Sequence, residues 1–268
     1  MQEQPTYEEL EKRYYEVIDK SKLKYRQPHD KLQSAFLNYF SHEIRTQMNS
    51  ITGFADLLGN SNISKCDRLE YIENIRRSGK LLINAIDDNV NLAKIDIKEM
   101  KIHNTHFDIN NFIDELEDEF IDDNSDKLKD AVKLKAHKES NKEFRIVLDK
   151  NKLKTIFTHF LNNAFKFTSK GTIEFGYRIN SDVKLECFVK DSGVGISNNK
   201  LLRIKRMMES NNLITVDKFE LKGQGLRIIR GCAELLDAEI IIESKAGEGT
   251  NVYFTLPFVF STTKRFFG

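Results

Sequence analysis

Apolar and polar positions in the first third of the chain recur with the period of long amphipathic helices. From Asp30 to Leu58 the apolar side chains gather on one broad arc of a helical wheel, as a helix facing a core requires. Gly59 suits the left-handed position past a helix end, and Ser64-x-x-Asp67 is a capping signal for the next helix. Apolar residues spaced mostly by threes and fours then continue to Ile97. The pattern therefore predicts two long helices joined by a short loop.

Each predicted helix carries more apolar surface than the other can cover. Two antiparallel helices cannot bury two such stripes by themselves, whereas two copies of the pair can form a four-helix bundle with a common core. The pattern therefore predicts a homodimer. Upstream, the spacing of Leu10, Tyr14, Val17 and Ser21 fits a short parallel coiled coil and an ordinary amphipathic lead-in equally well.

Beyond Lys98 the helical stripe ends, and helical and strand periods mix. Asp149 is a candidate N-cap, and the acidic stretch from Asp114 to Asp130 fits a solvated helix face and loop. Helices are predicted at about residues 109–121 and 150–165, and strands at about 172–179, 184–190, 239–244 and 251–257. Runs of strands with helices gathered to one side predict an α+β sandwich and not a parallel βαβ sheet.

Length and charge limit the classes of function. The chain has 268 residues, enough for about two domains that each bury a core. Its 42 basic and 41 acidic side chains leave a net charge of +1. This balance argues against a nucleic-acid or anionic-membrane partner, because either would need a basic patch. The chain contains no apolar run of about 18 residues and no signal-peptide pattern, so we expect no membrane span and a cytoplasmic location.

The spacing of cysteines and histidines does not predict a metal site. Cys66, Cys187 and Cys232 are odd in number and far apart, which fits reduced thiols. His103 and His106 form a lone His-x-x-His pair without a cysteine or carboxylate cluster nearby, so we interpret this stretch as a surface linker.

His42 lies on the first predicted helix but well outside its apolar arc, beside Arg45 and Asn49. A histidine that served the core would sit among the apolar positions, so the pattern predicts an exposed imidazole next to the carboxylate of Glu43. Such a group is a candidate nucleophile. The helical wheel leaves a plain solvated histidine open as the alternative.

The stretch Ser41-His42-Glu43-Ile44-Arg45-Thr46 closely resembles the phosphoacceptor box of sensor histidine kinases. Three further stretches resemble the ATP-binding motifs of that family in the right order. The resemblance implies that His42 accepts the γ-phosphoryl group of ATP and that Glu43 is the general base. It also implies that Thr46 orients a water that dephosphorylates a partner protein. The family commonly has proline where this chain has Gln47, and the absence of that proline leaves the helix straighter.

The first of the three motifs runs from His159 to Thr168. The resemblance implies that Asn163 is a magnesium ligand and Lys166 a phosphate contact. A hard amide oxygen suits magnesium, and an ammonium neutralises phosphate oxygens. The family usually has a second asparagine where this chain has His159.

The second motif is Asp191-Ser192-Gly193-Val194-Gly195-Ile196, directly after an alternating strand. By resemblance, the carboxylate of Asp191 accepts the exocyclic amine of adenine. Gly193 and Gly195 let the backbone approach the base without Cβ clashes. A plain strand-ending turn is the alternative, and the order of the motifs favours the nucleotide site.

The third motif is Gly223-Gln224-Gly225 at the start of a predicted helix, whose free N–H groups can bind phosphate. The family's first glycine in this motif falls on Leu221, and its pair of lid phenylalanines falls on Lys205 and Met208. The segment from Ser197 to Lys222 therefore resembles a diverged ATP lid.

The resemblance implies an α+β chain of two domains. The first is a dimeric helical hairpin that forms a four-helix bundle, and the second is an α/β-sandwich ATP-binding domain of the GHKL or Bergerat type. The implied divisions are a signalling helix at residues 1–27, a dimerisation and phosphotransfer domain at 28–101, a catalytic domain at 102–260 and a tail at 261–268.

The implied reaction is autophosphorylation with ATP and magnesium, followed by transfer to an aspartate of a separate response-regulator receiver. The diverged lid leaves a second interpretation open, a non-kinase or phosphatase-dominant signalling scaffold. A plain ATPase is a third, and the Ser41-His42-Glu43 stretch ahead of a dimerisation unit argues against it. The chain is expected either as a free cytoplasmic protein or as the cytoplasmic portion of a membrane-bound sensor.

Overall fold

The computed structural model describes residues 28–59, 63–96, 100–125, 128, 131–139, 142–209 and 224–261. These residues form two compact units, the first ending at Ala85 and the second beginning at Ile86. Among the described residues, no helix combines the length and the apolar content needed to cross a membrane.

The first unit is a helical hairpin whose elements agree with the predicted ones. Helix α1 is Pro28–Leu58 and helix α2 is Lys65–Asp96, and the last turns of α2 belong to the second unit. The predicted cap is present, because the Ser64 hydroxyl accepts the backbone N–H of Asp67 at 3.1 Å. Satisfying an otherwise unpaired N–H in this way fixes the start of α2.

Side chains join the two helices of the hairpin at two levels. The rings of Phe54 and Tyr71 lie 5.6 Å apart between centroids. The hydroxyl of Ser78 donates to that of Ser50 at 3.0 Å, and Ser78 is buried. An aromatic contact and a hydrogen bond between small polar groups therefore both help to close the hairpin.

The second unit mixes helices and strands. After α2, its elements in chain order are β1 (Thr105–Asp108), α3 (Ile109–Asp123), β2 (Val132–His137), β3 (Arg145–Leu148), α4 (Lys150–Phe167), β4 (Gly171–Ile179), β5 (Leu185–Asp191), α5 (Asn198–Glu209), α6 (Gln224–Leu235), β6 (Glu239–Lys245), β7 (Gly249–Leu256) and β8 (Val259–Phe260).

The strands of the second unit form two sheets. A five-stranded sheet has the order β2-β4-β5-β7-β6, and a three-stranded antiparallel sheet has the order β1-β3-β8. In the larger sheet β2 and β4 are parallel, while every other pair is antiparallel. The α+β sandwich is confirmed, and so is the prediction that the sheet is not a parallel βαβ sheet.

The core of the second unit lies between α4 and the larger sheet. Phe157 of α4 places its ring centroid 4.9 Å from that of Phe254 on β7 and 6.2 Å from that of Phe175 on β4. All three side chains are fully buried. Aromatic pairs at these edge-on angles add to the free energy gained by burial.

The structure contains elements that the sequence patterns did not predict. Strands β1, β2, β3 and β8 and helix α5 were not expected. β1 and β3 have four residues each and β8 has two, too few to show a clear period of two. β2 was not predicted either, because it alternates charged and apolar residues over only six positions.

The buried carboxylate of Asp149 connects α4 to the chain that follows α2. It is 1% exposed and accepts the backbone N–H of Lys152 at 3.1 Å, which confirms the predicted N-cap. It also accepts the backbone N–H of His103 at 2.7 Å and pairs with the Lys152 ammonium at 3.2 Å. Burial alone would raise the pKa of Asp149. The donors together lower it by more than burial raises it, so the net pKa lies below its ordinary value.

We expect Asp149→Asn to lower the free energy of unfolding by about 1–3 kcal/mol at neutral pH. Because the folded-state pKa is lowered, this stabilisation is present above the unfolded pKa of about 3.9 and is lost as the pH falls through the folded pKa. The difference between wild type and variant should therefore shrink on acidification, as measured by denaturant unfolding at a series of pH values. Asp182→Asn, at an exposed turn, is the matched control. If the difference in free energy of unfolding between wild type and Asp149→Asn did not change with pH, the assignment of Asp149 as an ionised N-cap would be contradicted.

Candidate functional site

His42 and Thr46 lie one helical turn apart on α1, and both are exposed. The Thr46 hydroxyl donates to the backbone carbonyl of His42 at 2.9 Å. This bond leaves the lone pairs of the hydroxyl oxygen available to accept from water. The side chain of Glu43 lies outside the described residues, and the roles of all three residues stay predictions.

Helix α4 has a buried face and an exposed face, and the predicted nucleotide contacts lie on the exposed one. Asn163 and Lys166 are both exposed. The opposite face of α4 is buried through Leu153, Ile156, Phe157, Phe160, Leu161, Ala164 and Phe165. Burying this apolar face against the sheet fixes the rotation of the helix, and thereby directs the two polar side chains outward.

Asp191 is the last residue of β5, the middle strand of the larger sheet, and it is half-buried. Its Oδ1 accepts the backbone N–H of Gly193 at 2.8 Å. Burial raises the pKa of Asp191 above its ordinary value, although the N–H groups of Gly193 and Thr250 and the nearby hydroxyl of Thr168 lower it. A carboxylate that is partly desolvated in this way gains from an additional donor such as an adenine amine.

Gly193 stands where a side chain would fill the space beside this carboxylate. A Cβ there would lie 2.4 Å from the Phe167 carbonyl oxygen, 2.7 Å from the Thr168 hydroxyl and 2.9 Å from Asp191 Oδ1. The Thr168 side chain is fully buried, and its hydroxyl has no partner in hydrogen-bonding geometry among the described residues. The buried hydroxyl and the carboxylate therefore both lie close to Gly193, and only glycine fits between them.

The loop after β5 is held by the hairpin that joins β6 to β7. The Ser244 hydroxyl accepts the backbone N–H of Ile196 and donates to the Gly249 carbonyl, both at 2.8 Å. Gly195 has a φ of 63°, and a Cβ there would lie 2.0 Å from the Lys245 carbonyl oxygen. The loop therefore needs glycine both for its conformation and for its contact with the hairpin.

Sequence analysis did not identify Thr168, Ser244 and Thr250 as part of this site. The available signal was that Thr168 ends the first motif and that the other two lie in a stretch matching the end of the family's domain. Their contribution depends on which backbone groups they face, and the sequence pattern does not specify that.

The third motif is described only in part. Gly223 and Leu221 lie outside the described residues, whereas Gly225 lies in the first turn of α6. Of the two predicted lid positions, Lys205 is exposed and Met208 is half-buried, both on α5. The Arg230 guanidinium of α6 donates to the Met207 carbonyl at 3.3 Å and so joins α5 to α6.

A nucleotide fits these residues. A magnesium ion fits them only together with the phosphates of the nucleotide. The described residues contain no group of three or more histidine, cysteine, aspartate or glutamate side chains that could hold a metal by itself. The exposed Asn163 offers one amide oxygen. Magnesium commonly binds in this way, with one or two protein oxygens, substrate phosphates and water.

Family comparisons identify both units. Residues 32–97 match the model described as "His Kinase A (phospho-acceptor) domain". Residues 148–259 match the model described as "Histidine kinase-, DNA gyrase B-, and HSP90-like ATPase". Together the two matches include more than half of the chain.

Two curated histidine kinases match most of this chain. The chain is 32% identical over 231 residues to the histidine protein kinase DivJ of Caulobacter vibrioides, covering 84% of this chain and 37% of that protein. It is 27% identical over 232 residues to the autoinducer 2 sensor kinase/phosphatase LuxQ of Vibrio vulnificus, covering 85% of this chain and 27% of that protein. The chain therefore spans only about a quarter to two fifths of the length of these relatives.

Two solved structures share the fold. Full-length ShkA in complex with AMPPNP superposes with a TM-score of 0.58 at 21% identity, over 82% of this chain and 45% of ShkA. The histidine kinase AdeS of Acinetobacter baumannii superposes with a TM-score of 0.52 at 14% identity, over 81% of this chain and 97% of the AdeS chain. At these identities the likeness establishes the fold alone.

We expect Asp191→Asn to weaken ATP binding by about 1–3 kcal/mol, because an amide nitrogen would face the adenine amine in place of an acceptor oxygen. The fold should not be destabilised, since ionised Asp191 is disfavoured by burial and an amide oxygen can still accept from Gly193. Calorimetric titration with ATP measures the first effect and thermal unfolding the second. Asp182→Asn again serves as the control. Unchanged affinity would remove the adenine-reading role from Asp191.

Proposed function

Because this chain belongs to the sensor histidine kinases, we propose that it phosphorylates its own His42 with ATP. One observation carries the proposal. The chain carries an exposed histidine on a hairpin that matches a phospho-acceptor domain. The same chain carries a half-buried acceptor carboxylate, Asp191, in a unit that matches an ATPase. The divisions proposed for these two domains remain residues 28–101 and 102–260.

The proposed chemistry follows from the side chains. The neutral imidazole of His42 uses one ring nitrogen to attack the γ-phosphorus, so that an N–P bond forms while the P–O bond to the ADP leaving group breaks. Glu43 holds the proton of the other ring nitrogen and compensates the charge that develops there. Lys166 contacts the phosphates, Asp191 holds the adenine amine, and Gly193, Gly195, Gly223 and Gly225 give the nucleotide access to the backbone. Magnesium, held by Asn163, would neutralise charge on the phosphates.

We further propose that the phosphoryl group passes to an aspartate of a response-regulator receiver domain, and that the chain also dephosphorylates that receiver. The relative LuxQ is named a kinase/phosphatase. In this chain the exposed Thr46 hydroxyl, already donating to the His42 carbonyl, retains the lone pairs needed to orient a water. A response-regulator partner suits the cytoplasmic location expected from the sequence. The chain would then be either a free protein or the cytoplasmic portion of a membrane-bound sensor.

A phosphatase-dominant scaffold is the second candidate function. Where the family has lid phenylalanines, this chain has an exposed lysine at Lys205 and a half-buried methionine at Met208. A lid without aromatic anchors closes less favourably over ATP, because less apolar surface is buried on closure. Receiver dephosphorylation asks mainly for the α1 surface that carries Glu43 and Thr46.

We expect incubation with γ-labelled ATP and magnesium to give a phosphate that is labile in acid and stable in base. His42→Gln should abolish the label, because an amide cannot form the N–P bond. His106→Gln is a matched control at another exposed histidine and should label normally. Label that survives in His42→Gln would refute the assignment, and unlabelled wild type that still dephosphorylates a receiver would favour the scaffold.

We propose a homodimer held by the exposed apolar side chains of α1 and α2. Leu69 is 60% exposed and Ile72 is 49% exposed in the single chain. Leu69→Glu combined with Ile72→Glu should give a monomer in sedimentation equilibrium, because burying two carboxylates at the bundle core is costly. Ile241→Glu, at a side chain 47% exposed on the sheet, should stay dimeric. A wild-type monomer would contradict the bundle.

We expect wild type to label slowly and to retain phosphatase activity. The triple change Lys205→Phe, Met208→Phe and Leu221→Gly should speed labelling of His42 by improving lid closure. Thr46→Ala should slow receiver dephosphorylation and leave labelling nearly unchanged, since Thr46 serves only the water. Both rates are measured with labelled phosphate. Labelling that is no faster with the repaired lid would show that the lid residues do not limit the rate.

A further inference from the structure

Phe167 is an exposed aromatic residue at the end of α4. It is the last residue of that helix and is 45% exposed, although much of the rest of α4 is buried. Its backbone carbonyl accepts the N–H of Val194 at 3.2 Å. It follows Asn163 by one helical turn, and both residues are exposed. Phe167 is therefore fixed beside the loop after β5, close to the proposed magnesium ligand.

Two ammonium groups lie over the Phe167 ring. The Nζ of Lys166 is 5.6 Å from the ring centroid, and the Nζ of Lys200 is 5.8 Å from it. Both distances are within the range of a cation–π contact. Lys166 belongs to α4, whereas Lys200 lies in the first turn of α5. The ring thus brings together cations from two separate helices.

The charge of these two ammonium groups is not neutralised by nearby carboxylates. Both lysines are exposed, and within the part of the chain that the structure describes neither of them forms an ion pair. Two like charges near one ring repel each other, and the ring holds them without cancelling their charge. An anion that contacts both groups would relieve this repulsion.

We propose that Lys200 contacts a phosphate group of the bound nucleotide together with Lys166, and that Phe167 is the positioning residue for both ammonium groups. The proposal rests on the proposed ATP-binding function and deepens it, because it adds α5 to phosphate recognition. Lys166 alone was assigned to the phosphates by the sequence motifs.

The attachment of α5 supports this arrangement. Near its end, α5 is joined to α6 by the Arg230 guanidinium, which donates to the Met207 carbonyl. Near its start, α5 contacts α4 through the ammonium of Lys200 and the ring of Phe167. The described part of the lid is therefore attached at both ends, and one of these attachments carries a charge that a phosphate can use.

The test measures calorimetric binding of ATP and of adenosine to the full chain, with magnesium, at low and at high salt. Lys200→Met removes the charge but keeps a long apolar side chain. It should weaken ATP binding about fivefold at low salt and leave adenosine binding unchanged, since only a phosphate contact is lost. The loss should shrink at high salt, because salt screens exposed charges.

Two further lysine variants serve as controls. Lys200→Arg keeps the charge and can also stack on an aromatic ring, so it should bind ATP as wild type does. Lys184→Met changes an exposed lysine in the turn between β4 and β5 and should have no effect.

A double-mutant cycle tests the role of the ring. Phe167→Leu removes the aromatic face, so Lys200→Met should cost less ATP affinity in that background than in wild type. Additive effects of the two substitutions would overturn the positioning role of Phe167.

Other results would overturn the phosphate contact and leave the proposed function intact. They are unchanged ATP affinity in Lys200→Met, an equal loss for ATP and adenosine, a loss that does not depend on salt, and an equal loss in Lys200→Arg. Failure of folded wild type to bind ATP under any of these conditions would instead refute the proposed function.

Discussion

The burial of one face of α4 against the five-stranded sheet is the constraint on which the second unit depends. Phe157 contacts the rings of Phe175 and Phe254, so the helix cannot rotate without opening the core. The same constraint directs Asn163 and Lys166 outward. The apolar pattern of α4 thus contributes to the core and also orients the residues assigned to magnesium and to the nucleotide phosphates.

A second constraint is the close approach of backbone segments around Asp191. At Gly249, where φ is 101°, a Cβ would lie 1.9 Å from the Asp191 carbonyl oxygen, and at Gly195 one would meet the hairpin. These contacts fix the backbone on either side of the Asp191 carboxylate. The site is therefore preorganised by backbone geometry, which reduces the entropy lost when a ligand binds.

The long helices and central strands were predictable because their periods extend over many residues. The caps at Ser64 and Asp149 were predictable too, since a capping side chain acts on its own neighbours in sequence. The pairing of β2 with β4 was not predictable, because a parallel pair between distant segments leaves no local signal. The sequence likewise identified Asp191 but not the Thr168 hydroxyl beside it, because contacts between segments that are distant in sequence leave no local signal. The sequence marked His159 only as a departure from the family's usual asparagine, because its partner Asp88 is remote in sequence.

The outer face of α4, the loop after β5 and the hairpin between β6 and β7 together form the proposed nucleotide site. Amide hydrogen exchange with and without a non-hydrolysable ATP analogue and magnesium tests it directly. We expect slower exchange at residues 163–168, 191–196 and 244–250 when nucleotide is bound, and no change in the sheet formed by β1, β3 and β8. Unchanged exchange at residues 191–196 under saturating nucleotide, or protection centred on the three-stranded sheet, would contradict it.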